Sequence, residues 1–252
     1  MPSREWNAAS YDRVGAAMTE LGLAVLDRLE LAGDEIVLDA GCGTGAITQE
    51  IVRRVPNGRV IAVDGSREMA RLARERLGAG AEVIVADLLE LELAEQVDVV
   101  FSTATFHWIE DHARLFARLR GMLAPGGRLT AQCGGEGNIR ALLAVASSRA
   151  AEPPYKQLLN GRVSATHFAG VAETERLLAA AGFAPARCWL TDAPVRPQQP
   201  REFLRTIVLG PAVQRLGPEL GERYLDDVLA ALPEPVTLDY VRLNIEAALD
   251  GV

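Results

Sequence analysis

Residues Glu35 to Gln49, EIVLDAGCGTGAITQ, constrain everything else in this chain. Ile36-Val37-Leu38 is an apolar run of the kind found in buried parallel strands, and it leads into Asp39. Glycines follow at 41, 43 and 45, and an apolar helical pattern begins at Ala46. Alternate glycines give a turn without side-chain walls, so a ligand can rest against bare backbone. The first N–H groups of the next helix lack intrahelical partners and face the same edge. Strand, glycine turn and helix in this order predict a nucleotide-type site at the carboxyl end of a first strand.

The rest of the chain supplies what such a site needs. Val60 to Val63 is a second strand ending on Asp64, and Ser66 is placed to cap a helix running to Leu77. A third strand, Val83 to Ala86, ends on Asp87, and a fourth covers Val97 to Phe101. Asp111 caps a helix through Leu123, and Arg128 to Cys133 is a fifth strand after Pro125-Gly126-Gly127. This alternation predicts a parallel α/β sheet with helices on both faces. Beyond Gly134 the pattern changes. Residues 138–151 and 173–181 read as helices, Ala186 to Leu190 as a sixth strand and Thr237 to Ile245 as the last. A helical block at 201–231 is broken at Gly210-Pro211 and Gly217-Pro218. Residues 1–14 show no periodicity, and Ala16 to Leu29 is an amphipathic helix.

Composition excludes several partners. With 252 residues, 49% hydrophobic and 24% charged, the chain has material for a large core. A net charge of −8 argues against nucleic acid, which calls for clustered cations; only Lys156 of the 26 basic residues is a lysine, and the arginines are scattered. Cys42, Cys133 and Cys188 are too far apart for a metal site or a disulfide frame, which fits a reducing cytoplasm. The first residues, MPSREWNAASYDR, are too polar for a secretory signal, and no apolar run approaches membrane length. The expectation is a cytoplasmic protein with no membrane partner and no metal.

Two nucleotides compete for the glycine turn. Gly41, Gly43 and Ala46 with Asp64 loosely satisfy the dinucleotide pattern, in which an acid some 20 residues on holds a ribose. The run from Asp39 to Gly45, DAGCGTG, however, resembles motif I of class I S-adenosylmethionine-dependent methyltransferases. That cofactor has no phosphate, and an acid at Asp39 would repel a pyrophosphate. The similarity extends to Trp6-Asn7-Ala8-Ala9-Ser10-Tyr11, to Asp98 through Trp108, and to Leu123 through Gly127, all of which look like trans-aconitate-methyltransferase-like enzymes.

This resemblance implies a Rossmann-like, mostly parallel seven-stranded sheet whose last strand is antiparallel and inserted between the fifth and sixth, with helical lid insertions around strand six. It implies one structural domain in three parts: an N-terminal lid at 1–34, a cofactor-binding core at 35–137, and the remaining strands with a helical substrate lid at 138–252. Asp39 would meet the cationic amino acid end of the cofactor, Asp64 the ribose hydroxyls, Asp87 the adenine amino group and Met69 the ring face. Gly41, Cys42, Gly43, Gly45, Gly65, Leu88 and Thr103 complete the cofactor contacts implied. Tyr11, His107 and Trp108 would face a small-molecule acceptor. His107, where the relatives carry Gln, is either a general base or a pocket wall. Arg140, Arg162, Arg205 and Arg242 are candidates for an acidic acceptor. The implied activity is methyl transfer to an oxygen or nitrogen of a small molecule. The rivals are a methyltransferase fold used for cyclisation or aminopropyl transfer, an NAD(P)-dependent reductase, and a non-catalytic binding protein.

Overall fold

The computed structural model describes residues 5–250. The first four residues of the N-terminal lid and the last two of the C-terminal part therefore lie outside the described residues. Two helices, α1 (Ala8–Val14) and α2 (Ala16–Leu26), precede β1 (Ile36–Ala40). Then come α3 (Thr48–Arg54), β2 (Arg59–Asp64), α4 (Arg67–Leu77), β3 (Glu82–Val85), β4 (Val97–Thr103), α5 (His112–Met122) and β5 (Leu123–Gly134). The second half holds α6 (Arg140–Ala150), α7 (Lys156–Leu159), α8 (Val171–Ala181), β6 (Ala186–Asp192), α9 (Pro200–Phe203), α10 (Gly210–Leu216), α11 (Pro218–Leu229) and β7 (Val241–Ala248).

One seven-stranded sheet runs in the order β3-β2-β1-β4-β5-β7-β6, and only β7 is antiparallel to its neighbours. Period-two alternation sends its apolar side chains to both faces. Val37, Val60 and Val99 pack with Val25 and Leu26 of α2 and Ile51 of α3. Leu38, Ile61 and Val100 pack on the other face with Leu115 and Leu119 of α5 and Leu178 of α8. The two predicted caps are present. Ser66 Oγ accepts from Met69 N at 3.3 Å and Asp111 Oδ1 from Arg114 N at 2.9 Å.

A second core lies over the carboxyl edge of the sheet. Leu142, Tyr155, Phe203, Leu204, Tyr224 and Leu238 form its centre, and Tyr11, Val14 and Met18 of the N-terminal helices pack into it. The helices expected to form the substrate lid within 138–252 are thus parts of one packed body shared with the N-terminal helices. The breaks at Gly210-Pro211 and Gly217-Pro218 fall where expected, but Leu204–Val208 is also a π turn, closed by Leu209 N to Leu204 O at 2.7 Å.

Several boundaries differ from the sequence reading; the fifth strand, for one, begins at Leu123, directly after α5, and not at Arg128. Ala8–Val14 is helical, capped by Asn7 Oδ1 on Ser10 N at 3.0 Å. Seven residues are two turns, too short for periodicity to declare itself. The last strand begins at Val241 because residues 238–240 pair elsewhere. Leu238 bridges to Val195, Asp239 O accepts from Ile139 N, and Tyr240 O accepts from Ala193 N. The helix after the glycine turn starts at Thr48, since Gly41, Gly43 and Gly45 all have positive φ and delay regular helix.

Candidate active site

A cavity of about 660 Å³ opens where the carboxyl ends of the parallel strands meet the second core. Its first half is built on the turns after β1, β2 and β3. Gly41 N and Cys42 N both donate to Val63 O, at 2.8 and 2.9 Å, which ties the glycine turn to β2. Gly41 (φ +94°) and Gly43 (φ +56°) line the cavity. A Cβ at Gly43 would have no protein atom within 4 Å, so the bare backbone there faces open space. Asp64 also lines the cavity and shapes the turn: one carboxylate oxygen accepts from Gly43 N at 2.9 Å, the other from Ser66 N at 2.8 Å. Burial raises its pKa, and nearby Glu5 raises it further. Gly65, Met69, Asp87, Leu88 and Thr103 stand on the same walls. Asp87 Oδ1 accepts from Leu89 N at 2.9 Å, which fixes its carboxylate at the end of β3.

Three expected cofactor contacts are elsewhere. Asp39 lies beneath the turn, 3% exposed, and accepts from Thr48 Oγ1 at 2.6 Å. Burial, with Asp64 close by, pushes its pKa up to about 7. It shares the face of Val37, two residues earlier, and so points toward α3 instead of outward. Gly45 packs against α4, where a Cβ would stand 3.2 Å from Ala73 Cα and Leu77 Cδ1. Cys42 is buried, its thiol pKa driven well up by that burial, and it lines only a small recess of about 60 Å³ beside Thr44 and Ile47. It is a packing residue.

The second half of the cavity is bounded by β4, β5, β7 and the overlying core. Ala104, at the end of β4, has φ +55°, and Ile139, entering α6, has φ +47°. Positive φ at a β-branched residue is strained, by about 1–3 kcal/mol, and both residues line the cavity. The π turn brings the consecutive side chains Ile207 and Val208 to the same wall. Trp6 stands edge-on to Tyr11 at 5.7 Å and to Trp108 at 5.3 Å, forming an aromatic rim.

His107 and Arg242 are the polar centre of this half. His107 is 8% exposed, stacks on Phe168 at 5.8 Å, and accepts from Gly134 N at its Nδ1, 3.3 Å away. Burial, and secondarily the charge of Arg242, hold its pKa well below the usual imidazole value. A neutral ring whose Nδ1 accepts must carry its proton on Nε2, so His107 is a donor with no spare lone pair. The β5–β7 register places Arg242 opposite Gly134, the residue that holds His107. Arg242 lines the cavity at 3% exposure, donates from Nε to Gln132 Oε1 at 3.3 Å, and lies 5.7 Å from the Tyr240 ring centroid. No acidic side chain pairs with it among the described residues. Burial lowers its pKa, while Cys133, Tyr240 and Tyr11 act in the opposite direction. The other candidate arginines do not reach the cavity: Arg205, for one, pairs with Glu222 at 2.9 Å.

The site is latched to the N-terminal helices. Asp12 accepts from Thr44 Oγ1 at 2.7 Å and pairs with Arg76 at 2.6 Å, and Ser10 Oγ bonds Glu202 and lies 2.9 Å from Thr206 Oγ1. Neither latch was legible in the sequence, because both join residues far apart in the chain. Among the described residues no group of three or more His, Cys, Asp or Glu side chains can hold a metal, and no helix is long and apolar enough to cross a membrane.

Comparison with known proteins agrees with this geometry. Residues 37–127 match the family described as methyltransferase domain. The trans-aconitate 2-methyltransferase of Methylobacterium nodulans is 34% identical over 182 residues, covering 71% of this chain and 69% of that protein. The protein of the same name from Acidovorax ebreus is 35% identical over 128 residues, 51% of this chain and 49% of its own. The chain spans about half the length of several curated relatives that it matches. Haemonchus contortus phosphoethanolamine N-methyltransferase 2, solved with phosphomonomethylethanolamine and S-adenosylhomocysteine, shares the fold at a TM-score of 0.58 and 21% identity, over 92% of this chain and 53% of that one. The fold is therefore that of the S-adenosylmethionine-dependent methyltransferases. Within that class, the chain belongs to the methyltransferase-domain family that includes the trans-aconitate 2-methyltransferases.

Proposed function

We propose that the chain transfers a methyl group from S-adenosylmethionine to a carboxylate oxygen of a small organic acid. The cofactor fits the first half of the cavity by its chemistry. Asp64 and Asp87 offer carboxylates at two strand ends, Gly43 leaves the floor bare, and Met69 and Leu88 are apolar walls. No basic side chain follows β1, β2 or β3 into the cavity, which suits a ligand without phosphate and speaks against a dinucleotide. When bound, S-adenosylmethionine supplies a methyl group on a cationic sulfur, which keeps the electron pair of the broken bond as a neutral thioether.

The observation that carries the acceptor assignment is Arg242: a buried guanidinium on the cavity wall with no acidic partner among the described residues. Buried charges are ordinarily paired, and an acceptor carboxylate supplies the missing partner through a bidentate bond. His107 Nε2–H is a second donor on the same wall. Neither group removes a proton, and none needs removing, because a carboxylate is already ionised at neutral pH. A hydroxyl acceptor would require a base, and His107 has no free lone pair to serve as one. The relatives named trans-aconitate 2-methyltransferase support an acidic acceptor.

The test is a screen of carboxylic acids, phenols and amines with methyl-tritiated cofactor, followed by alkali. A methyl ester releases its label as methanol. Label found only in alkali-stable ethers or amines would overturn the assignment.

A further inference from the structure

We infer that the acceptor is a monocarboxylic acid with an apolar body, an acid unlike the tricarboxylic one after which the relatives are named. This rests on the carboxylate reading above and narrows it. The acceptor half presents one buried cation, Arg242, and a largely apolar surface around it: Met18, Ile139, Leu143, Phe168, Ile207 and Val208. Ile139 is held there by a strained backbone and Ile207 and Val208 by the π turn, so the apolar wall is a product of the fold's irregular elements.

A second or third carboxylate would find no comparable partner. The one other basic side chain on the cavity, Arg215, is exposed and donates to Arg162 O at 3.4 Å. Ser164, Thr166 and Asn138 add polar atoms to the lining but no charge. The charged side chains that line the cavity beyond the cofactor carboxylates include two more acids, Glu110 and Asp111. A polyacid would therefore leave desolvated carboxylates facing apolar side chains and like charges. An aliphatic or aryl tail on that wall instead gains from leaving water.

Specificity constants with methyl-tritiated cofactor at saturation decide the matter, for hexanoate, octanoate and cinnamate against trans-aconitate and citrate. Binding of the same acids to the protein saturated with S-adenosylhomocysteine, measured by calorimetry, gives a readout independent of turnover. The apolar monoacids should exceed trans-aconitate at least tenfold in kcat/KM, rising about three- to fourfold per added methylene until the cavity fills. Trans-aconitate equalling or surpassing them would overturn the inference and leave carboxylate methylation standing. If no acid binds or is methylated while a phenol or amine is, the underlying carboxylate assignment fails and this inference with it.

Discussion

Arg242→Met should separate recognition of the acceptor from stability of the fold. Arg242 is 3% exposed, and its guanidinium bonds Gln132 through Nε and approaches the Tyr240 ring. Such contacts contribute about 0.5–1.5 kcal/mol for the hydrogen bond and about 0.5–2 kcal/mol for the cation on the ring. Against them stands the cost of a buried charge with no counterion, several kcal/mol in effect. Methionine has a similar length and no charge, and Gln132 keeps its bond to Asn244 at 2.8 Å. The variant should therefore unfold within about 1 kcal/mol of the parent, or above it. The acceptor, by contrast, loses a charged hydrogen-bonding partner worth about 1.5–3 kcal/mol. At 1.36 kcal/mol per decade that is roughly 10- to 150-fold in kcat/KM.

Initial rates against acceptor concentration, at saturating cofactor, measure that loss. Calorimetry with S-adenosylhomocysteine and a melting curve serve as controls, and both should be nearly unchanged. Arg242→Lys should fall between, since an ammonium keeps the charge but loses the fork. A fall of less than threefold in kcat/KM, with both controls intact, would refute the reasoning.

Asp64→Ala should weaken S-adenosylhomocysteine binding by roughly 10- to 150-fold, the scale of a lost charged acceptor, and a change under twofold by calorimetry would remove Asp64 from the cofactor site. His107→Gln should leave turnover within about threefold, with the same pH profile as the parent, because Gln supplies a side-chain donor in its place; a parent rate that falls in acid, below the usual imidazole range, and does not fall in the variant would reinstate the base. The folded imidazole stays neutral where the unfolded one is protonated, so the parent loses stability as pH falls below about 6.5, and denaturant titrations should show a shallower loss in His107→Gln. Asp39→Asn should raise the melting temperature more at pH 8 than at pH 5: the folded carboxyl, with a pKa near 7, is already neutral at pH 5, whereas at pH 8 the variant removes a buried charge. Equal shifts at the two pH values would contradict a buried ionised Asp39. Since α1, α6 and α10 share one core, hydrogen exchange should show them opening together and slowing together on adding S-adenosylhomocysteine; independent opening would mean separate lids.

The sheet, its helices and the lining of one half of the cavity were legible because local signals carry them. Ser66 and Asp111 announce helix starts, and acids ending strands announce the carboxyl edge. Asp39 and Gly45 lie off the cavity wall because a motif is not a row of outward-facing side chains. Strand alternation, applied to Val37, already put Asp39 on the α3 side. Helix α1 and the Asp12–Arg76 and Ser10–Glu202 contacts were out of reach, because long-range packing and pairing hold them in place. Arg242 lies between these cases. Its place in the sequence looks unremarkable, but an antiparallel last strand must begin where its parallel neighbours end. The first residues of β7 are therefore brought to the active edge, and Arg242 is among them.

The resulting layout divides the cavity by sign. Carboxylates stand at the ends of β2 and β3, the single buried guanidinium stands at the start of β7, and the wall beside it is apolar. Opposite charges are thereby offered to the two partners of the proposed reaction, in which a carboxylate and a cationic methyl donor would become a neutral ester and a neutral thioether. Because that reaction cancels charge, a site that excludes water disfavours the separated ions more than the neutralising transition state. The aromatic rim of Trp6, Tyr11 and Trp108 and the second core above it narrow the access of water to the cavity. Arg242 sets the limit on how far this goes. In the proposed reaction it would hold the acceptor's carboxylate in the site, yet every increment of pairing it gave the ground-state anion would be partly lost as the ester formed and the charge disappeared. One buried guanidinium and one neutral imidazole donor, with the other cation, Arg215, left exposed, are the arrangement expected where an acid must be held in place but not over-stabilised.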